Sequence, residues 1–369
     1  MSNIVIACNH SYPLTGGCEK VVQQVAESMV EKSHKVSILS KSYTRIPFDY
    51  NGVRYQNCGI NFFSFMKNID AINPDYLMIY SDFFIFWPEI LAKSKNINCK
   101  KIIFPVGLNA TYKEKNSYLF DLFKNRSNDF IVVTHSSDYR DYNICKGNGI
   151  PVRIIPNGIN FEEISKKDFS FREKYSINTK YILLCISNFF PGKAQEKLIP
   201  ILNEVYKEIK DFTVVFICST TSSSIINRTK SIFFSILEKY DFQSRVLCDI
   251  PREEVIESLF ESDIFLFPSQ KEVAPLVLLE SMAAKLPWIS LNVGNASALD
   301  GGVIVNSQKD KDGNCVYDNN VNTIFAKNIL KLLLNSKLRK RLGKNGFNKV
   351  FSDFNWKDIS ESYNELFTL

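Results

Sequence analysis

Short apolar runs of strand length alternate with amphipathic stretches along this chain, and that alternation restricts the fold more than any other feature. Residues 3–8 form a first apolar run, and 18–32 carry Val21, Val22, Val25 and Met29 at helical spacing before a second run at 35–40. Further strand-like runs lie at 53–58, 75–80, 101–104, 130–134 and 152–155. The second half repeats the rhythm at 181–186, 213–218, 245–249, 263–268 and 288–291. Strands separated by helices pair in parallel and need helices on both faces, so the expected class is α/β with doubly wound sheets. A chain of 369 residues with 45% hydrophobic content is long enough for two such domains.

Composition removes several function classes. Met1, Ser2 and Asn3 run straight into Ile4-Val5-Ile6 without a basic leader, so no secretory signal is expected. No apolar stretch approaches the roughly 20 residues that span a bilayer. Nine cysteines are scattered without a C-x-x-C pair, which suits free buried thiols in a reducing cytoplasm. His10, His34 and His135 are the only histidines, which excludes a histidine-rich metal site. His34 falls in a short turn and is expected at the surface. The net charge of +6 is too modest for a nucleic-acid binder.

Residues 271–287, KEVAPLVLLESMAAKLP, follow the run at 263–268 and open a helix. Pro275 suits a first helical turn, where no amide hydrogen is needed. Glu272 precedes this helix, and Glu280 lies inside it among Leu278, Leu279 and Met282. A buried carboxylate needs a partner, and a ligand hydroxyl is one. The helix start offers outward amides, here Leu276 and Val277, to an anion. Acceptors for hydroxyls on either side of an anion seat match a sugar-nucleotide diphosphate.

Glu272-x7-Glu280 with Met282-Ala283-Ala284-Lys285-Leu286-Pro287 resembles the E-x7-E signature of retaining GT-B glycosyltransferases, in particular family 4. Ala274-Pro275 stands where that family has Phe-Gly, and Lys285 where it often has Gly. Gly16-Gly17-x-Glu19 is similar to the family's G-G-x-E loop. Pro156-Asn157-Gly158 resembles the turn that closes its first domain. The segment 187–193 resembles its phosphate-gripping loop, with Asn188 in place of the arginine and Lys193 matching the lysine. A lysine at a helix start opposes the helix dipole, which itself argues for an anion partner. The family's first-domain histidine has no counterpart in 105–109; Asn109, Ser81 and Asp82 are the polar substitutes.

The resemblance implies two Rossmann-like domains, 1–160 for the acceptor and 161–346 for the donor, facing across a cleft, with 347–369 crossing back to the first. It implies transfer of a hexosyl or N-acetylhexosaminyl group from a UDP-sugar, or a GDP-sugar, to a glycan or lipid-linked hydroxyl in bacterial surface polysaccharide synthesis. Glu272 would take the donor sugar, Glu280 the ribose, and Lys193 with the Leu276 and Val277 amides the diphosphate. Gly16, Gly17, Asn188, Ala274 and Pro275 complete the donor side. His10, Glu19, Asn109 and His135 are the acceptor-side candidates. No metal or other cofactor is expected. A GT-B-shaped binding protein with little activity is the alternative, and a nucleotide-sugar epimerase a more distant one. Basic residues with interleaved aromatics at 93–126 suggest contact with an anionic membrane. The basic stretch 337–349 reads as a solvated helix.

Overall fold

The computed structural model describes residues 1–14, 16–41, 47–59, 61–80, 90, 93, 99–104, 130–137, 140–219 and 224–367. Its elements begin β1 (Asn3–Ala7), α1 (Gly17–Glu31), β2 (Lys35–Ser40), β3 (Phe48–Tyr50), β4 (Val53–Asn57), α2 (Phe62–Ile72), β5 (Tyr76–Tyr80), β6 (Lys100–Phe104) and β7 (Phe130–Thr134). They continue with α3 (Arg140–Gly147), β8 (Val152–Ile154), α4 (Phe171–Lys174), β9 (Tyr181–Ile186), α5 (Gln195–Glu208), β10 (Phe212–Cys218), α6 (Ser224–Leu237), β11 (Gln243–Cys248) and α7 (Arg252–Glu261). The last are β12 (Ile264–Phe267), α8 (Leu276–Ala283), β13 (Trp288–Leu291), β14 (Gly302–Val305), α9 (Asn319–Leu334), α10 (Ser336–Asp353) and α11 (Trp356–Leu366).

Two compact units result, Met1–Asn157 with Trp356–Leu369, and Gly158–Asn355. The first holds an eight-stranded sheet in the order β3-β4-β2-β1-β5-β6-β7-β8, parallel except where β3 meets β4. Val5, Ala7, Leu39, Leu77, Ile79 and Ile103 are fully buried, as strands covered on both faces require. α11 belongs to this unit: Trp356 Nε1 donates to Ser28 Oγ of α1 at 2.7 Å, and Tyr363, Leu366 and Phe367 are buried. Residues 347–355 complete α10 and its turn in the other unit.

The second unit holds a six-stranded parallel sheet, β11-β10-β9-β12-β13-β14. The strand order reverses between β9 and β12, and ligands of open α/β sheets bind beyond the carboxyl ends of strands at such a point. Leu183, Leu184, Phe265 and Leu266 fill its centre. Two strands escape the sequence pattern, β3 and β14. β3 is three residues long and closes on β4 through Asn51-Gly52, both at positive φ. β14 lies on the Trp288 ring, where a Cβ on Gly302 would come within 2.0 Å of ring carbon.

His34 is a correction. It is buried: Ser2 N donates to its Nδ1 at 3.2 Å, and its Nε2 donates to Asn364 Oδ1 at 3.0 Å. The turn is short, as the sequence implies, but α11 covers it.

Candidate active site

β9 and β12 end side by side, and their loops carry the residues singled out above. Lys193 Nζ and Glu272 Oε1 meet at 2.7 Å, with the carboxylate 11% exposed and the ammonium 29%. The helix opens at α8, with Pro275 as the residue before its first turn and Leu276 and Val277 as its first two members. Amides at those positions have no carbonyl one turn back to bond, so they point out of the helix end. Glu272, Lys193 and the α8 amino end thus bring together a carboxylate, an ammonium and a partial positive charge.

Main-chain bonds hold these loops. Gln270 N donates to Gly192 O at 2.8 Å, which ties the two strand ends together. Cys315 N donates to Gln270 O at 2.8 Å, and Gln270 Nε2 returns a bond to Cys315 O at 2.8 Å. Asn295 N donates to Val273 O at 3.1 Å. Gly294, at φ +54°, lets that contact form, since a Cβ there would stand 2.3 Å from Val273 O.

Glu280 is buried, yet it has a protein partner. Arg252, first residue of α7, bonds Glu280 through Nη2 and Glu163 through Nε at 3.1 Å. Burial alone would lower the Arg252 pKa, but the two carboxylates more than offset this and raise it. The buried Glu280 carboxylate therefore takes its partner from Arg252, where the sequence pattern implied a ligand hydroxyl. Arg252 escaped that reading although the signal was present: a cation at a helix start, the misfit already noted for Lys193. Gln195 was also missed. It is buried at the start of α5 and donates to Ser187 O at 3.3 Å and Asn188 O at 2.7 Å, bracing the loop after β9. Asn188 turns its own Oδ1 toward Phe190 N at 3.4 Å, so its side chain serves the turn.

In the first unit, Cys8, Asn9, His10, Cys18, Glu19, Val22 and Tyr80 line a small pocket at the ends of β1 and β5. Gly16 caps α1, and any side chain there would displace the Glu19 carboxylate. Gly17 has open space around its α-carbon. His135 lies deeper. Its Nδ1–H donates to Ile155 O at 3.1 Å, and Tyr80 OH donates to its Nε2 at 2.8 Å. Burial pushes its pKa down to about 4, against a smaller opposing effect of the Ile155 bond. Both ring nitrogens are thus used inside the protein, and His135 supports Tyr80 instead of touching an acceptor. Asn109, Ser81 and Asp82 lie outside the described residues, as does most of 93–126. Among the described residues, no three His, Cys, Asp or Glu side chains gather as metal ligands. No described helix is long and apolar enough to cross a membrane.

The sequence profile of the family "Glycosyl transferases group 1" matches residues 167–349. The chain is 23% identical to the phosphatidylinositol N-acetylglucosaminyltransferase GPI3 subunit of Saccharomyces cerevisiae (strain YJM789), over 99% of its own length and 82% of that protein. It is 22% identical to N-acetyl-alpha-D-glucosaminyl L-malate synthase of Bacillus anthracis, over 96% and 94%. In structure it resembles Anabaena HepE, solved in complex with UDP-glucose, with a TM-score of 0.74, 11% identity and full coverage of both chains. The profile, these whole-chain relatives and the two doubly wound sheets agree that the chain belongs to the group 1 glycosyltransferases and has their GT-B fold.

Proposed function

We propose that this glycosyltransferase moves a sugar from a nucleotide diphosphate to an acceptor hydroxyl with retention of configuration. The carrying observation is the Lys193–Glu272 pair beside the amino end of α8. A diphosphate drawn to those helix amides competes for the lysine ammonium, and Glu272 is then released to accept hydrogen bonds from sugar hydroxyls. Glu280, fixed by Arg252, holds the ribose hydroxyls. The bond from the anomeric carbon to the phosphate oxygen breaks on the face where the acceptor oxygen bonds, and the leaving phosphate takes the acceptor proton. The protein supplies position and charge stabilisation, and no metal is required.

A UDP-sugar is the favoured donor, in keeping with the UDP-glucose complex of HepE. N-acetylglucosamine is the favoured sugar, since both relatives named above carry it in their names. The first-unit pocket with His10 and Glu19 takes the acceptor side, a glycan or lipid-linked hydroxyl of the kind used in bacterial surface polysaccharide assembly. Asn188, committed to its own turn where the family grips phosphate with arginine, favours a second reading: a donor-binding protein with little turnover.

Transfer assays with UDP-N-acetylglucosamine and a panel of acceptors separate the two readings. Glu272→Ala and Lys193→Ala are each expected to lower turnover by about 100- to 1,000-fold, with the melting temperature close to wild type. Near-normal rates in both variants would remove the assignment. Donor binding without turnover in the wild type would establish the second reading.

A further inference from the structure

Residues 319–352 contain eight of the chain's 45 Lys and Arg and none of its 39 Asp and Glu. The rest of the chain is therefore slightly acidic, and the net charge of +6 resides in α9 and α10. Two of the eight are engaged locally. Arg339 caps α9 through Leu332 O and Leu333 O at 2.6 and 2.7 Å, and Lys349 pairs with Asp353 at 2.6 Å. The other six, Lys327, Lys331, Lys337, Lys340, Arg341 and Lys344, are all exposed and form no ion pair among the described residues.

Packing fixes which way the α10 charges face. A Cβ on Gly343 would lie 2.0 Å from Lys285 O, and Gly346 presses against Met282 and Gly301. The helix lies on its neighbours through glycine, with Val350 buried one turn on. At 100° per residue, Lys337, Lys340, Arg341, Lys344 and Phe351 fall within an arc of about 100° on the opposite side. Phe351 is 56% exposed, and Leu334, at the end of α9, is 75% exposed. A solvated helix face normally mixes both signs of charge; this face carries a single sign, with Leu334 just before its start and Phe351 near its end.

We propose that this face is a docking surface for an anionic lipid bilayer. The cations meet headgroup phosphates, and Leu334 and Phe351 enter the interface. Those two apolar side chains favour a bilayer over nucleic acid, whose backbone offers them nothing. The inference does not depend on the donor-site assignment.

The test is co-sedimentation of the full chain with vesicles of phosphatidylcholine alone or mixed with phosphatidylglycerol. Wild type should bind only the mixed vesicles and leave them as salt rises. A variant carrying Lys337→Glu, Lys340→Glu, Arg341→Glu and Lys344→Glu should bind more than about a hundredfold more weakly, with unchanged circular dichroism and unchanged turnover on a soluble acceptor. Leu334→Ser with Phe351→Ser should weaken binding at high salt more than at low. The proposal is overturned if wild type ignores anionic vesicles, if the four-fold reversal binds as wild type does, or if a single-stranded RNA oligomer binds more tightly than the vesicles.

Discussion

Glu272 and Glu280 are each paired with a cation, and the two pairings differ in kind. Arg252 spans Glu280 and Glu163 with a planar fork, an arrangement that fixes position. Lys193 reaches Glu272 with one ammonium on a flexible stem, an arrangement that exchanges partners readily. The sequence showed both glutamates and the lysine, because their spacing around Pro275 and the β9 end is local. It did not show Arg252 against Glu280, because that contact closes over 28 positions of chain. His135 gives the sharpest residue-scale test. Its pKa is about 4 in the folded chain and near 6.5 when unfolded, so below the latter the unfolded state binds a proton that the native state refuses. Stability should therefore rise with pH through that interval and level off above it. Its share between pH 5 and pH 7 is roughly 2 kcal/mol. Urea titrations of wild type and His135→Asn at the two pH values measure it. The NMR titration of the ring supplies a second reading, and an ordinary histidine midpoint would refute the account.

At the scale of elements, the parallel strands were legible because each is an apolar run buried on both faces. β3 was not, since three residues with two of them exposed carry no such pattern. β14 opens with a glycine that exists for the Trp288 ring, and glycine has no apolar signature. α10 holds the same lesson and a prediction. Helix propensity alone says Gly343→Ala should stabilise by about 1 kcal/mol. The approach of Lys285 O leaves no room for a Cβ, and a backbone atom cannot rotate away. Overpacking of this kind costs about 1–3 kcal/mol, so a net loss is expected in chemical denaturation. A gain would mean that α10 sits further from α8 than described.

For the whole molecule, the strand–helix alternation gave two doubly wound sheets, and the end of the chain is the part that topology joins across the greatest separation. Residues 356–367, α11 and its end, supply the first unit with Trp356, Tyr363, Leu366 and Phe367, and Trp356 bonds Ser28 over 328 positions. Deleting residues 356–369 should lower the melting of Met1–Asn157 and leave that of Gly158–Asn355 nearly intact, splitting the calorimetric transition in two. A single shifted transition would show the units unfold together. The loops around Lys193 and Glu272 are sewn by peptide groups: Gln270 to Gly192, Cys315 to Gln270 and Asn295 to Val273. Stitching through the main chain is blind to the identity of most side chains it joins. A frame joined this way tolerates side-chain change at most of the positions it links, and the chain aligns along nearly its whole length with relatives at only 23% and 22% identity.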